Sequence, residues 1–145
     1  MGMLESVLLG AYLKQAETMK QANPYDQYLN VNFTTASPAR LVVMTYDAAI
    51  RSLKEARRGI RENDYQRRVR NFDLSVALIG ELRKSLNKER GGEIADKLDA
   101  LYQYFTRELL MANVTNDADR IEPIINIMVE LRASWEKARQ DLANA

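Results

Sequence analysis

The chain has 145 residues, 46% of them hydrophobic, with three prolines and six glycines, which is one domain's worth of ordered, core-forming sequence. Lys and Arg number 21 against 20 Asp and Glu, so the formal charge of +1 gives no general pull toward nucleic acid or anionic membrane. Cysteine and histidine are both absent, which removes disulfides, thiol chemistry, the commonest metal ligand and the commonest general base near neutral pH. An enzyme would have to run on carboxylates, lysines or tyrosines alone, so the sequence predicts a non-enzyme without cofactor or metal.

Residues 1–22 read as a short amphipathic helical extension, with Leu4, Val7, Leu8 and Ala11 on one side. Glu5 interrupts the opening apolar run, no basic leader precedes it, and no window reaches the roughly 20 apolar residues needed to cross a bilayer. The expectation is a cytoplasmic protein with no stable membrane insertion. Asn23 and Pro24 end the extension. Residues 23–36, with Tyr25, Tyr28 and Phe33, read as an extended arm whose aromatics need apolar cover.

A helical bundle domain is expected over 37–145. Ser37 followed by Pro38 is a helix start, because serine caps free amides and proline fits the first helical position. Val42, Tyr46, Ala49, Leu53, Ala56 and Ile60 then recur at three and four, which predicts a helix to about residue 62. Asn63 or Asp64 caps a second helix, striped by Tyr65, Val69, Phe72, Val76, Ile79 and Leu82 and running to Leu86. Gly91 and Gly92 separate it from a third, with Ile94, Leu98, Leu101, Phe105 and Leu109. The fourth carries Ile121, Ile124, Ile125, Met128, Leu131, Trp135, Ala138 and Leu142; Pro123 places its start near Glu122 or Pro123, after a short turn. Short linkers favour an all-α, antiparallel up-down bundle of four long helices with the added N-terminal helix and arm.

No catalytic signature appears. Glu130 has no histidine to complete a ferritin-like metal pair, and Gly91 and Gly92 lack the lysine and hydroxyl residue of a phosphate loop. The run Arg51 to Arg70 holds eight Arg or Lys side chains, but Glu55, Glu62 and Asp64 are interspersed, so it reads as a solvated face rather than a nucleic-acid site.

Several ordered motifs span about Pro24 to Ala138: TASPARLVVMTYD, GGEIADKL, LYQYFTREL, MANVTND and the Trp135 region. In them the chain resembles the flagellin-specific export chaperones of the flagellar type III secretion system. The matched positions are Tyr25 and Tyr28 in the arm, Thr35 to Pro38, Leu41 with Val42, and Tyr46 with Asp47. Further along they are Glu81, Leu82, Ser85 and Leu86, then Gly91 to Ala95, Leu101, Tyr102, Tyr104, Phe105, Ala112, Asn113 and Trp135. Departures are Thr45 for the usual leucine, Ala48 for glycine, and Leu74 with Ser75 for a lysine–alanine pair.

The resemblance implies an antiparallel helical bundle that binds the disordered C-terminal segment of flagellin, prevents its premature polymerisation and aids delivery to a flagellar export gate component. A client-binding groove or arm is expected to draw on Tyr25, Tyr28, Leu41, Val42, Tyr46, Asp47, Leu74, Leu98, Tyr102 and Trp135. Tyr46 and Trp135 also lie on core stripes, and Leu41 and Val42 are adjacent, so one is expected in the core and the other toward a client. Ile50, Leu53 and Ile79 read as core. The extension either caps the bundle or lies in the client groove. The competing function is a non-catalytic homodimeric helical adaptor, and a weak homo-oligomer is compatible with either.

Overall fold

A computed structural model describes residues 38–84 and 86–144. The expected leading helix and arm, with Tyr25, Tyr28 and the cap residue Ser37, lie outside them. The described residues form helices α1 (Pro38–Arg61), α2 (Tyr65–Lys84), α3 (Lys88–Thr115), a 3-10 turn (Ala118–Ile121) and α4 (Glu122–Ala143), with no strand among them.

The boundaries follow from local chemistry. Asn63 takes a left-handed φ of 52°, which turns the chain after α1. Asp64 then accepts the Arg67 amide at 3.2 Å and caps α2. Asn87 accepts the Arg90 amide at 3.1 Å at the start of α3, and Asn116, at φ 58°, ends it. Asp117 accepts from the Asp119 amide to start the 3-10 turn, and Pro123 falls in the first turn of α4, where its missing N–H costs nothing. The third helix starts earlier than the glycine pair suggests. Gly92 lies inside α3 with φ 53° and ψ −130°, a conformation in which a side chain is strained, and it breaks the helix after one turn.

Contacts between neighbouring helices run in opposite directions. Ser52 meets Ser75 in mid-helix and Gly59 meets Arg68 near the turn, so α1 and α2 are antiparallel. Arg68 reaches Asn113 while Arg83 reaches Asp99, which makes α2 and α3 antiparallel. Asp47 pairs with Arg132 and Arg57 with Glu122, which does the same for α1 and α4. A single core fills the space between the helices, from Val42, Tyr46 and Leu53 on α1 to Met128 and Trp135 on α4.

Leu53 and Ile79 are fully buried, and Ile50 is partly buried against the core. Of the expected α2 stripe, Phe72, Ile79 and Leu82 are buried and Val76 packs against the core. Leu74, Ser75 and Leu78 face inward, whereas Tyr65 and Val69 stand 75% and 41% exposed. The buried face of α2 is wider than the expected stripe from Phe72 onward, and the stripe leaves the core only over the first turns, at Tyr65 and Val69.

Ser75 is explained by its partner. Its hydroxyl lies 2.7 Å from that of Ser52, which itself donates to the Ala49 carbonyl at 2.9 Å, so Ser75 donates across the α1–α2 contact. Ser75→Ala leaves Ser52 bonded and is expected to cost less than about 1 kcal/mol in urea unfolding, with no change in cooperativity.

Candidate functional site

The sequence-predicted residues come together mainly inside the bundle. Tyr46 on α1, Tyr102 on α3 and Trp135 on α4 are all buried, and the two phenol oxygens are 2.5 Å apart. The Tyr46 and Trp135 ring centres lie 6.2 Å apart. Burial pushes both phenols well above their ordinary pKa, and a side-chain hydrogen bond from Trp135 offsets part of that at Tyr46. Both are neutral at any physiological pH. Tyr46 therefore ties three helices together, through its hydroxyl to Tyr102 and its ring to Trp135.

Leu41 and Val42 are both buried, so adjacency does not divide them between core and surface. The first half of α1 is apolar on almost every side, and Val43, Thr45 and Ala48 are buried as well. Thr45 satisfies its hydroxyl on the Leu41 carbonyl at 2.8 Å. Leu74 and Leu98 are also core residues. Asp47 stands at the rim, accepting from Arg132 Nε at 2.8 Å and from Arg132 Nη2 at 3.4 Å.

The cations of the basic run are largely occupied. Arg67 is held among Glu55, Glu62 and Asp64, Arg57 pairs with Glu122, and Arg61 pairs with Asp119 at 3.2 Å. Arg68 donates to the Asn113 and Asn116 side chains, tying the start of α2 to the end of α3. Four of the eight cations are therefore held in ion pairs, which weakens the run as an electrostatic footprint for phosphates.

The outward surface lies along α2 and α3. On α2, Tyr65, Val69, Val76, Gly80 and Arg83 follow one another at helical spacing along one edge. On α3, the facing row runs Asp99, Gln103, Thr106, Leu110 and Asn113. A groove of about 500 Å³ opens between them at the end where α2 passes into α3, lined by Val76, Gly80, Arg83, Lys84, Asp99 and Thr106. Leu110 and Val114 are 55% and 80% exposed toward the other end. Periodic analysis missed this surface because it assigned Tyr65 and Val69 to the core. The usable signal was the second apolar row on α2 together with a glycine in mid-helix.

Asp99 anchors the groove. It accepts from Arg83 Nε at 2.7 Å, from Lys88 Nζ at 3.4 Å and from Gln103 at 3.0 Å. In an unbroken helix Lys88 and Asp99 would be about 16 Å apart along the axis, so the break at Gly92 is what folds the first turn back toward Asp99. Burial alone would push the Asp99 carboxyl up, but the hydrogen bonds and charges of Arg83 and Lys88 outweigh it and hold the pKa below its ordinary value. The depressed value means that the unfolded chain takes up the proton first, so this stabilisation is complete above about pH 5 and fades as pH falls through the folded pKa. Asp99→Asn is expected to lower the melting temperature at pH 7, with the gap to the parent closing toward pH 3.

Among the described residues no cluster of acidic side chains could hold a metal ion, and no helix is long and apolar enough to cross a membrane. A helical bundle with a closed core and a mixed apolar and charged groove outside has the form of a binding module. The family model described as "Flagellar protein FliS" matches residues 21–142. The flagellar secretion chaperone FliS of Bacillus subtilis is 30% identical over 118 residues, covering 81% of this chain and 87% of that protein. Its counterpart from Campylobacter jejuni is 32% identical over 117 residues, 81% of this chain and 91% of that one. The Salmonella typhimurium FliS is 34% identical over 104 residues, 71% and 77% respectively. The chain belongs to the FliS family of flagellar secretion chaperones.

Proposed function

We propose that this chain is a cytoplasmic export chaperone for flagellin, binding its disordered C-terminal segment, preventing premature polymerisation and aiding delivery to the flagellar export gate. Its framework is an up-down antiparallel bundle over 37–145, preceded by the helical extension and the arm that carries Tyr25 and Tyr28. The action is binding, with no reaction catalysed.

The observation that carries this reading, besides family membership, is apolar surface displayed on α2 and α3 of a bundle whose core is already complete. Tyr65, Val69, Leu110 and Val114 are exposed, and an amphipathic client helix would cover them. Tyr46, Tyr102, Trp135, Leu74 and Leu98 support the grooves from inside, and Leu41, Val42 and Asp47 lie at the start of α1, where an arm can reach the bundle. Ordering a disordered client on this surface draws on the burial of apolar area, and release at the export gate needs only that burial to be reversed.

Calorimetric titration of the full chain with a peptide covering roughly the last 40 residues of flagellin from the same organism tests it. The expected result is saturable one-to-one binding by a monomeric protein. A folded chain that gives no heat and sediments as a stable symmetric dimer would instead make it the homodimeric adaptor.

A further inference from the structure

Arg68 on α2 and Asp99 on α3 tie the two helices together at opposite ends of their shared face. Arg68 directs its guanidinium at the end of α3. Its Nε donates to the Asn113 side chain at 3.0 Å, and its other nitrogens reach the Asn113 carbonyl and the side chain of Asn116, the left-handed residue that ends the helix. A cation there also meets the negative end of the helix dipole. The Arg68 backbone is itself backed by α1, since a Cβ on Gly59 would lie 2.7 Å from its amide nitrogen. At the other end Asp99, its side chain 14% exposed, accepts from Arg83 Nε at 2.7 Å and is held in place by Lys88 and Gln103.

The spacings match. Arg68 and Arg83 are about 22 Å apart along α2, and Asn113 and Asp99 about 21 Å apart along α3, so both ties cross the antiparallel pair in one register. The groove lining between them adds no such link: Val76 and Gly80 carry no polar side chain, and Thr106 donates to the Tyr102 carbonyl of its own helix at 3.0 Å.

We propose that Arg68 and Asp99 are positioning residues for client capture: their two ties hold the outer edges of α2 and α3 at a fixed separation, so that the groove stands open before a client arrives. Neither side chain acts by touching the client. Without a tie the edges sample closed and splayed arrangements, and only the open fraction is competent, which slows productive encounter by that fraction. A seated client holds the edges itself, so its escape is unchanged. The signature is slower association at an unchanged dissociation rate, the reverse of what loss of a direct contact gives.

This inference rests on the client-binding reading above, and the test separates the two. The same flagellin peptide, carrying a fluorophore, is mixed by stopped flow with the full-length chain and its Arg68→Met, Asp99→Asn and Asp99→Glu variants, at a temperature where circular dichroism shows each of them folded. Arg68→Met and Asp99→Asn are each expected to associate about three- to tenfold more slowly than the parent and to dissociate within about twofold of it. Asp99→Glu, which keeps a carboxylate for Arg83, should recover most of the parental rate. The first two substitutions remove charges of opposite sign, so altered electrostatic steering would drive their association rates in opposite directions, whereas loss of a tie slows both. If Arg68→Met does not fold, Arg68→Lys takes its place with the same expected direction, because an ammonium cannot reproduce the forked contact. Parent-like association in both folded variants, rates moved in opposite directions, or a change confined to dissociation overturns the positioning role and leaves the chaperone reading intact. A parent chain that does not bind removes the client reading and this inference with it.

Discussion

Gly59→Ala is expected to destabilise the protein by about 2–3 kcal/mol, although alanine is the better helix former by about 1 kcal/mol. A Cβ at Gly59 would lie 2.7 Å from the Arg68 amide nitrogen and 2.8 Å from its Cα, both backbone atoms that no rotamer change can move. The α1 and α2 axes would have to part beside their turn. Arg68 would shift with them and strain its hydrogen bonds to Asn113 and Asn116, so damage at one hairpin reaches α3. Urea unfolding measures the loss directly, and Gly80→Ala is the internal control. Both glycines lie inside helices, yet substitution of the second is expected to stabilise by up to about 1 kcal/mol. Equal signs for the two would contradict the packing described for α1 and α2.

Tyr46→Phe is expected to cost about 1–2 kcal/mol, because it removes one partner of the fully buried phenol pair with Tyr102. Tyr102→Phe removes the same bond and should cost about as much. The double variant should fall close to Tyr46→Phe alone, since the second substitution removes a bond already lost; that non-additivity is the signature of a shared network. Additive losses in a double-mutant cycle would show that the two hydroxyls act independently. Neither substitution is expected to change the pH profile of stability between pH 5 and 9, because both phenols stay neutral in that range.

How far the sequence revealed this depended on how much of each signal was local. The Pro38 start, the Asn63–Asp64 turn and the placement of Pro123 are decided within a few residues by cap chemistry, and they were legible. The core face of α1 was equally clear, because its apolar repeat is long and regular. On α2 Phe72, Ile79 and Leu82 were legible as core, whereas the burial of Leu74 and Leu78 and the exposure of Tyr65 and Val69 were not, because they depend on where α1 and α3 approach. The candidate site suffered from the same ambiguity. Tyr46, Tyr102 and Trp135 stand out as aromatic motif residues, but only their separation in space reveals that they meet one another. The Lys88–Asp99 contact was invisible in principle, since it depends on the backbone break at Gly92 bringing together residues that a continuous helix would keep apart.

Trp135 is the chain's only tryptophan, and it is buried against Tyr46 on α4, away from the α2–α3 edge. Its emission is therefore an optical gauge of the interior alone, shifting to longer wavelength when the core opens to water. A ligand held on the outer face of α2 would leave that colour unchanged. With a label on the peptide, one cuvette could follow occupancy and integrity as separate signals, so a variant that has lost its partner can be told from one that has lost its fold.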